Sequence, residues 1–272
     1  MSQSARKDNV HVMIVHKVPP HLMKHEFEGK LEALLDEVAL LPVVQKNVLK
    51  LEMILQDDGV DEHVKAFGFP PREPVVFVAI HCETADHFLA MLAAPEFRQA
   101  FEKGKEFGLQ TYSSGFSAEV VAKIDDPVPQ DAAHLVCVYN VPPHISSLQH
   151  DQKFEDFIDN FISVPAVQKN FVRFEMWQPN NMLDDHIRAF GYSEATPTFI
   201  HHARLGNWDS VEEVLKCQHS WDLPDEYFSF QMMTDAAAQQ NVLDAGDDGK
   251  HFNLKTDGYV FHARLVTKID NS

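Results

Sequence analysis

The sequence predicts an α+β fold made of two tandem βαββαβ units, the split-βαβ, ferredoxin-like arrangement, packed sheet to sheet within one chain. Three repeats carry that prediction. HVMIVHKVPPH from His11 returns as HLVCVYNVPPH from His134, LPVVQKNVLKLEM from Leu41 as VPAVQKNFVRFEM from Val164, and DEHVKAFGF from Asp61 as DDHIRAFGY from Asp184. All three pairs share an offset of 123 residues, which is the spacing of a duplicated domain rather than of a short solenoid repeat. A chain of 272 residues with 44% hydrophobic content can fill two ordinary cores.

Each element follows from its pattern. Alternating VHVMIVHKV stops at Pro19-Pro20, and HLVCVYNV stops at Pro142-Pro143, so both read as first strands entering a turn. Leu31, Leu34, Leu35 and Val38 then fall at i, i+3, i+4 and i+7, as do Phe154, Phe157, Ile158 and Phe161 in the second copy, which makes an amphipathic helix in each. VLKLEMIL and FVRFEMWQ are second strands, while PVVFVAIH and PTFIHHAR are third strands. Phe88, Met91 and Leu92 mark a second helix, matched by Val211, Val214 and Leu215. FSAEVVAKID and VFHARLVTKID close the units, which span 9–125 and 132–270 with DDPVPQD as a short extended linker.

Right-handed crossovers place both helices of such a unit on one sheet face. The other face would stay open, so the two units are expected to cover each other as an internal pseudo-dimer. The closing strands align at an offset of 145 instead of 123, which leaves about 22 extra residues near 217–249. With Trp221, Tyr227, Phe228 and Phe230, this insertion reads as a packed flap, an extra helix or a lid.

Composition excludes several partners. A formal charge of −18 without a basic cluster repels phosphate backbones and anionic membranes. The N-terminus MSQSARKDN lacks the apolar stretch of a signal peptide, and no window reaches the run needed to span a bilayer. Cys82, Cys137 and Cys217 form no CxxC pair, which suits a reducing compartment, so a cytoplasmic pseudo-dimer acting on a small molecule is expected, either as a monomer or as an assembly of such pseudo-dimers.

HVMIVHKV, the PVV and PAV segments after it and the two helices per unit resemble the dimeric α+β-barrel superfamily, nearest to its EthD-type and stress-responsive members, the olivetolic-acid-cyclase-like proteins included. The resemblance implies a barrel, cyclase-type chemistry and a pocket between sheet and helices. Its lining would start from a histidine near the beginning of strand one and continue through alternate apolar residues, here His11, Met13 and Val15, and His134, Val136 and Val138. The tyrosine and histidine pair on the second helix of such cyclases does not carry over, since LAMLAAPEFRQAF offers Met91 and Phe97. Some barrels of this superfamily handle haem or metals.

Sixteen histidines make acid–base chemistry the natural hypothesis. With a strand order of four, one, three, two, the second copy sets His262, His134 and His201-His202 on neighbouring strands, where the first copy has Ser117, His11 and Val78-Ala79. The second half is therefore expected to be the active one, with His134 as general base or acid and His201, His202 or His262 as its partner. His201 and His202 point to opposite faces, so at most one can join it; sheet-edge histidines on the surface, or a three-histidine zinc or iron site, are the competing readings.

His63 and His186 either rim a pocket or belong to a short helix ended by Gly68 or Gly191, capped by Asp61 or Asp184 and anchored by Phe67 or Phe190. The QKN triplets satisfy backbone groups at a helix-to-strand corner. Phe154, Phe157 and Phe161 would wall an apolar pocket or simply pack the core. GxGxxG, GxxxxGK[ST] and GxSxG motifs are absent. The expected function is cofactor-independent: proton abstraction beside a carbonyl, then cyclisation, elimination or isomerisation of an apolar polyketide-like or aromatic molecule. A non-catalytic ligand-binding or stress-related barrel, and a monooxygenase or haem- or metal-handling barrel, are the alternatives.

Overall fold

The computed structural model describes residues 9–61, 73–140, 158–159, 161–195, 198–217 and 258–271. His63, His144, Phe154, Phe157 and the insertion beyond Cys217 lie outside them. The first unit runs β1 (Val10–Lys17), α1 (Lys24–Ala39), α2 (Pro42–Asn47), β2 (Val48–Asp57), β3 (Val75–Cys82), α3 (Ala85–Ala93), α4 (Pro95–Glu102), a 3-10 turn at Lys103–Phe107 and β4 (Ser113–Asp125). The second runs β5 (Ala133–Asn140), a helical stretch through 161–163, α5 (Pro165–Asn170), β6 (Phe171–Pro179), α6 (Asp184–Ala189), β7 (Ser193–Glu194), β8 (Thr198–Leu205), α7 (Trp208–Cys217) and β9 (Gly258–Asp270).

Local chemistry explains the repeated corners. Pro42 and Pro165 open α2 and α5 at positions that have no amide to satisfy. Both helices last under two turns because Asn47 Nδ2 donates to the Val43 carbonyl at 2.7 Å and Asn170 Nδ2 to that of Ala166 at 2.9 Å. The asparagine of each QKN triplet thus satisfies a helix carbonyl just where the chain turns into β2 or β6. α1 starts on the Glu26 carboxylate, which accepts the Met23 amide at 3.0 Å, and buries Phe27, Leu31, Leu34, Leu35 and Val38.

Each unit has the expected strand order, β4-β1-β3-β2 and β9-β5-β8-β6, and the sheets join edge to edge through β2–β9 and β4–β6 into a closed eight-stranded barrel. Closure removes every sheet edge in the ring, and β7 adds a two-residue parallel pairing outside it. The closing strands do the joining. β9 pairs β5 through His262 and β2 from His262 onward, while β4 leaves β1 at Ala118 and continues along β6.

Register shifts at Lys123 and Lys268, equivalent positions, turn both lysines outward to the first helical segment of the other unit. Lys268 Nζ meets Asp36 at 2.6 Å and Glu32 at 3.1 Å, and Lys123 Nζ meets Asp159 at 2.8 Å. The connections after the second strands also cross over: Leu183, Ile187 and Tyr192 pack in the first unit's core and Val60 in the second's.

Three apolar layers result. Val12, Ile14, Leu51, Met53, Val76 and Val78 meet the first unit's helices, Phe171, Phe174, Ala203 and Leu205 belong to the corresponding layer of the second, and Met13, Phe77, Phe116, Val136, Trp177, Ile200 and Phe261 fill the lumen. Each large lumen side chain contributes about 1.5–3 kcal/mol through burial, and neither unit alone could bury that set.

Candidate functional site

Period-two geometry sends alternate residues of a strand to opposite faces, and here it corrects the expected lining. Met13, Val136 and Val138 are buried in the lumen, with Val15 packed against them. His11 and His134 share their side of the strands. The pocket under the helices is instead lined from β1 by Ile14 and His16, the opposite parity. Both faces of β1 are apolar, so alternation alone could not assign them.

That cavity lies between the first unit's sheet and helices, and its closed part is small, about 30 Å³. Leu31, Leu35 and Val38 of α1, Met91 of α3, and Phe97 and Phe101 of α4 form its wall, while Ile187, Phe190 and Tyr192 of the second unit roof it. The roof is fastened on several sides. The Gln110 amide donates to the Phe190 carbonyl at 3.1 Å, Phe190 packs 5.5 Å from both Phe97 and Phe101, and the Ser117 hydroxyl accepts the Leu183 amide at 2.9 Å. Asp184 accepts the Ser117 amide at 3.2 Å, so it ties α6 to β4 instead of capping its helix. Gly191 follows α6 with φ of 109°, a conformation that L side chains rarely adopt.

Among the described residues two polar side chains line the cavity, His16 and Tyr192, with ring centroids 6.1 Å apart. Ser113 Oγ lies 2.6 Å from His16 Nδ1 and also beside the Leu109 carbonyl, to which its hydroxyl can donate while accepting from Nδ1. With the hydroxyl donating in that sense, Nδ1 carries the proton and Nε2 keeps the lone pair. Burial pushes the His16 imidazole down to about 3, only partly opposed by the Leu109 carbonyl, so the ring is neutral at ordinary pH. Burial likewise raises the Tyr192 phenol, which stays protonated as a donor. One neutral acceptor and one neutral donor thus face an otherwise hydrocarbon enclosure.

The nominated histidines divide among three places. His134 and His202 do meet, with Nδ1 and Nε2 3.1 Å apart, but inside the barrel. His11 also faces the lumen, its ring 4.2 Å from His81 and 5.5 Å from Trp177. His201 turns to the helix side of the second unit, fully buried beside Tyr139 and Phe174, and Phe161 lies on the same side, against Phe171 and Phe174. His262 points outward, with Nδ1 3.3 Å from Asp57 Oδ1 and its ring edge-on to Trp208, so it cannot join His134. His186 is exposed on the outer side of α6, above the buried Ile187. Among the described residues, no group of three histidine, cysteine or acidic side chains is placed to hold a metal ion.

His16, Ser113 and Tyr192 escaped the sequence reading, although two of them left a signal. His16 is Tyr139 in the other copy and Tyr192 is Phe69, the kind of difference between copies that directed attention to His201 and His202.

No family model and no curated protein matches the sequence. Among solved structures, an anthrone oxidase-like protein superposes with a TM-score of 0.54 at 12% identity, covering 98% of this chain and 96% of its own. A candidate monooxygenase from Fusobacterium nucleatum subsp. nucleatum gives 0.50 at 8% identity, covering 96% and 94%. The chain therefore has the dimeric α+β-barrel fold, with both halves of the barrel supplied by one duplicated polypeptide.

Proposed function

We propose that the chain is a cofactor-independent enzyme that moves a proton on an apolar aromatic or polyketide-like molecule held in the first unit's cavity, as the first step of a cyclisation, elimination or isomerisation. The observation that supports it most is the pairing of His16 with Tyr192 in a wall otherwise made of hydrocarbon. A ligand buried there gains from apolar contact, and His16 Nε2 is its acceptor while the Tyr192 hydroxyl donates to its carbonyl oxygen.

The environment also restricts the substrate. An imidazole held near 3 by burial is a weak base, so the imidazolium formed by proton abstraction has to be offset by the anion made in the same step. Enolates and phenolates, which stay in contact as an ion pair and accept from Tyr192, meet that requirement. The His134–His202 pair, facing the lumen, is not given this role.

The test uses anthrone, the compound in the name of the similar structure, and related polycyclic phenols and ketones. Binding is followed by fluorescence, and proton exchange at the acidic carbon by mass spectrometry in deuterated buffer. General acid–base groups typically contribute about 10²–10⁴-fold. His16→Gln is expected to keep binding and lose exchange by that order; exchange unchanged in His16→Gln, or absent from the wild type with every compound that binds, ends the reading.

A further inference from the structure

A second group of polar side chains lies in the barrel interior. β1 and β5 are separated by four antiparallel pairings, through β3, β2 and β9, and so run in the same sense. His11 and His134, each near the start of its strand, therefore arrive at the same end of the lumen. Lys50, Glu52 and His81 join them from the first unit, and Arg173, Glu175, His202 and Arg204 from the second, since these residues share the inward parity of their strands. In a protein with a formal charge of −18, this end of the lumen gathers three cations, Lys50, Arg173 and Arg204, and two carboxylates, Glu52 and Glu175, with Asp125 at its rim.

We propose that this end of the lumen is a binding site for a small oxyanion, a carboxylate or a phosphate. The internal ion pairs do not exhaust the donors. Lys50 meets Glu52 at 2.8 Å, and Glu175 takes Arg173 Nε at 2.7 Å and Arg204 Nη2 at 3.3 Å. Glu175 therefore faces two guanidiniums, with Arg173 also reaching Asp125 at the exposed rim. Arg204 Nε, His11 Nδ1 and His81 Nε2 are buried without a hydrogen-bond partner among the described residues. A guanidinium N–H can only donate, so Arg204 Nε needs an acceptor that none of the described residues provides.

An oxyanion supplies acceptor lone pairs and negative charge together, whereas a cation would supply neither. Entry is from the barrel end, where the Arg173 and Lys50 side chains keep 33% and 20% of their surface. The site is a product of divergence between the repeats: Arg204 occupies the place of His81, and His202 that of Ala79.

The experiment reads binding alone and is independent of any turnover in the outer cavity. Inorganic phosphate and, separately, acetate are titrated against chloride of equal ionic strength, with NMR detection of arginine Nε–H and histidine ring signals. A saturable shift of the Arg204 Nε–H is expected, and Arg204→His, which restores the first repeat's residue, is expected to weaken binding about tenfold, the loss of one charge-assisted contact. If that variant does not fold, His81→Arg carries the test in the opposite sense, with tighter binding expected. A response to phosphate alone assigns phosphate, and a response to acetate assigns the carboxylate class. No saturable response to either, a response that survives Arg204→His unchanged, or His81→Arg binding no tighter than wild type overturns the proposal.

Discussion

Lowering the pH from 7.5 to 4.5 should destabilise this protein steeply, for a reason visible in its core. His16 and His201 are 2% and 1% exposed, and burial brings each from 6.5 down to about 3. Below 6.5 the unfolded chain takes up a proton on each of them that the folded chain refuses, so stability falls as pH falls, and it stops falling only near 3, where the folded rings also protonate. Linkage gives about 1.4 kcal/mol per pH unit for each such group. Two units below the ordinary value, the pair costs about 5 kcal/mol, comparable with the whole stability of a small domain. His11 and His134, each lowered to about 4 chiefly by burial, act in the same direction. Urea denaturation followed by tryptophan fluorescence across this range measures the slope. His201→Val and His16→Tyr, each of which installs the residue of the other repeat, should each remove about one proton from the uptake. A wild-type midpoint that does not move between pH 7.5 and 5, or a slope untouched by both substitutions, would refute the reasoning.

Other expectations follow from the same geometry. His134→Ala and His202→Ala should leave proton exchange within about threefold of wild type, because both side chains face the lumen, whereas His16→Gln should abolish it on the scale of a lost acid–base group. With His16 neutral down to about 3, the rate profile for kcat/KM should stay flat on its acid side from pH 8 to the onset of unfolding; an acid limb near 6.5 would point to a different, exposed histidine. Gly191→Ala should lower stability by about 1–2 kcal/mol in thermal melts, since φ is 109° there, and should weaken apolar ligands more than it weakens phosphate because the strain sits in the cavity roof. Lys268→Ala should cost about 1 kcal/mol and lose most of that effect at high salt, since its partners Glu32 and Asp36 are well exposed.

The repeat made the fold legible because each element was written twice, so a helix stripe such as Leu31–Val38 or a corner such as Pro42–Asn47 could be checked against its copy. Strand order within each unit follows from topology and was expected. The inward or outward sense of β1 was not, because Val10, Val12 and Ile14 are as apolar as Met13 and Val15. A strand buried on both sides gives no sign of which side meets helices. The roof of the cavity was hidden for a different reason: Tyr192 reaches His16 only because the connection after β6 crosses to the other unit, and local pattern carries no record of so distant a contact. The lumen cluster was half visible, since His134 and His202 were nominated as possible partners while the charges around them, Arg173, Glu175 and Arg204, looked like ordinary strand polarity.

Covalent duplication changes what such a barrel can hold. In a symmetric homodimer a substitution appears twice, and near the two-fold axis the two copies face a shared space. A guanidinium at the position of His81 and Arg204 would then be doubled in the lumen, with two further cations from the position of Lys50 and Arg173 nearby and no added carboxylate to offset it. A single chain can place an arginine on one side and a neutral imidazole on the other, which leaves one guanidinium N–H without an acceptor among the described residues. The outer cavity follows the same logic. His16 belongs to one repeat and Tyr192 to the other, and the equivalent positions carry Tyr139 and Phe69, so the acceptor–donor pair is assembled once. The asymmetry between the copies is therefore what gives each of the two spaces its chemistry, while the shared residues hold the barrel that positions them.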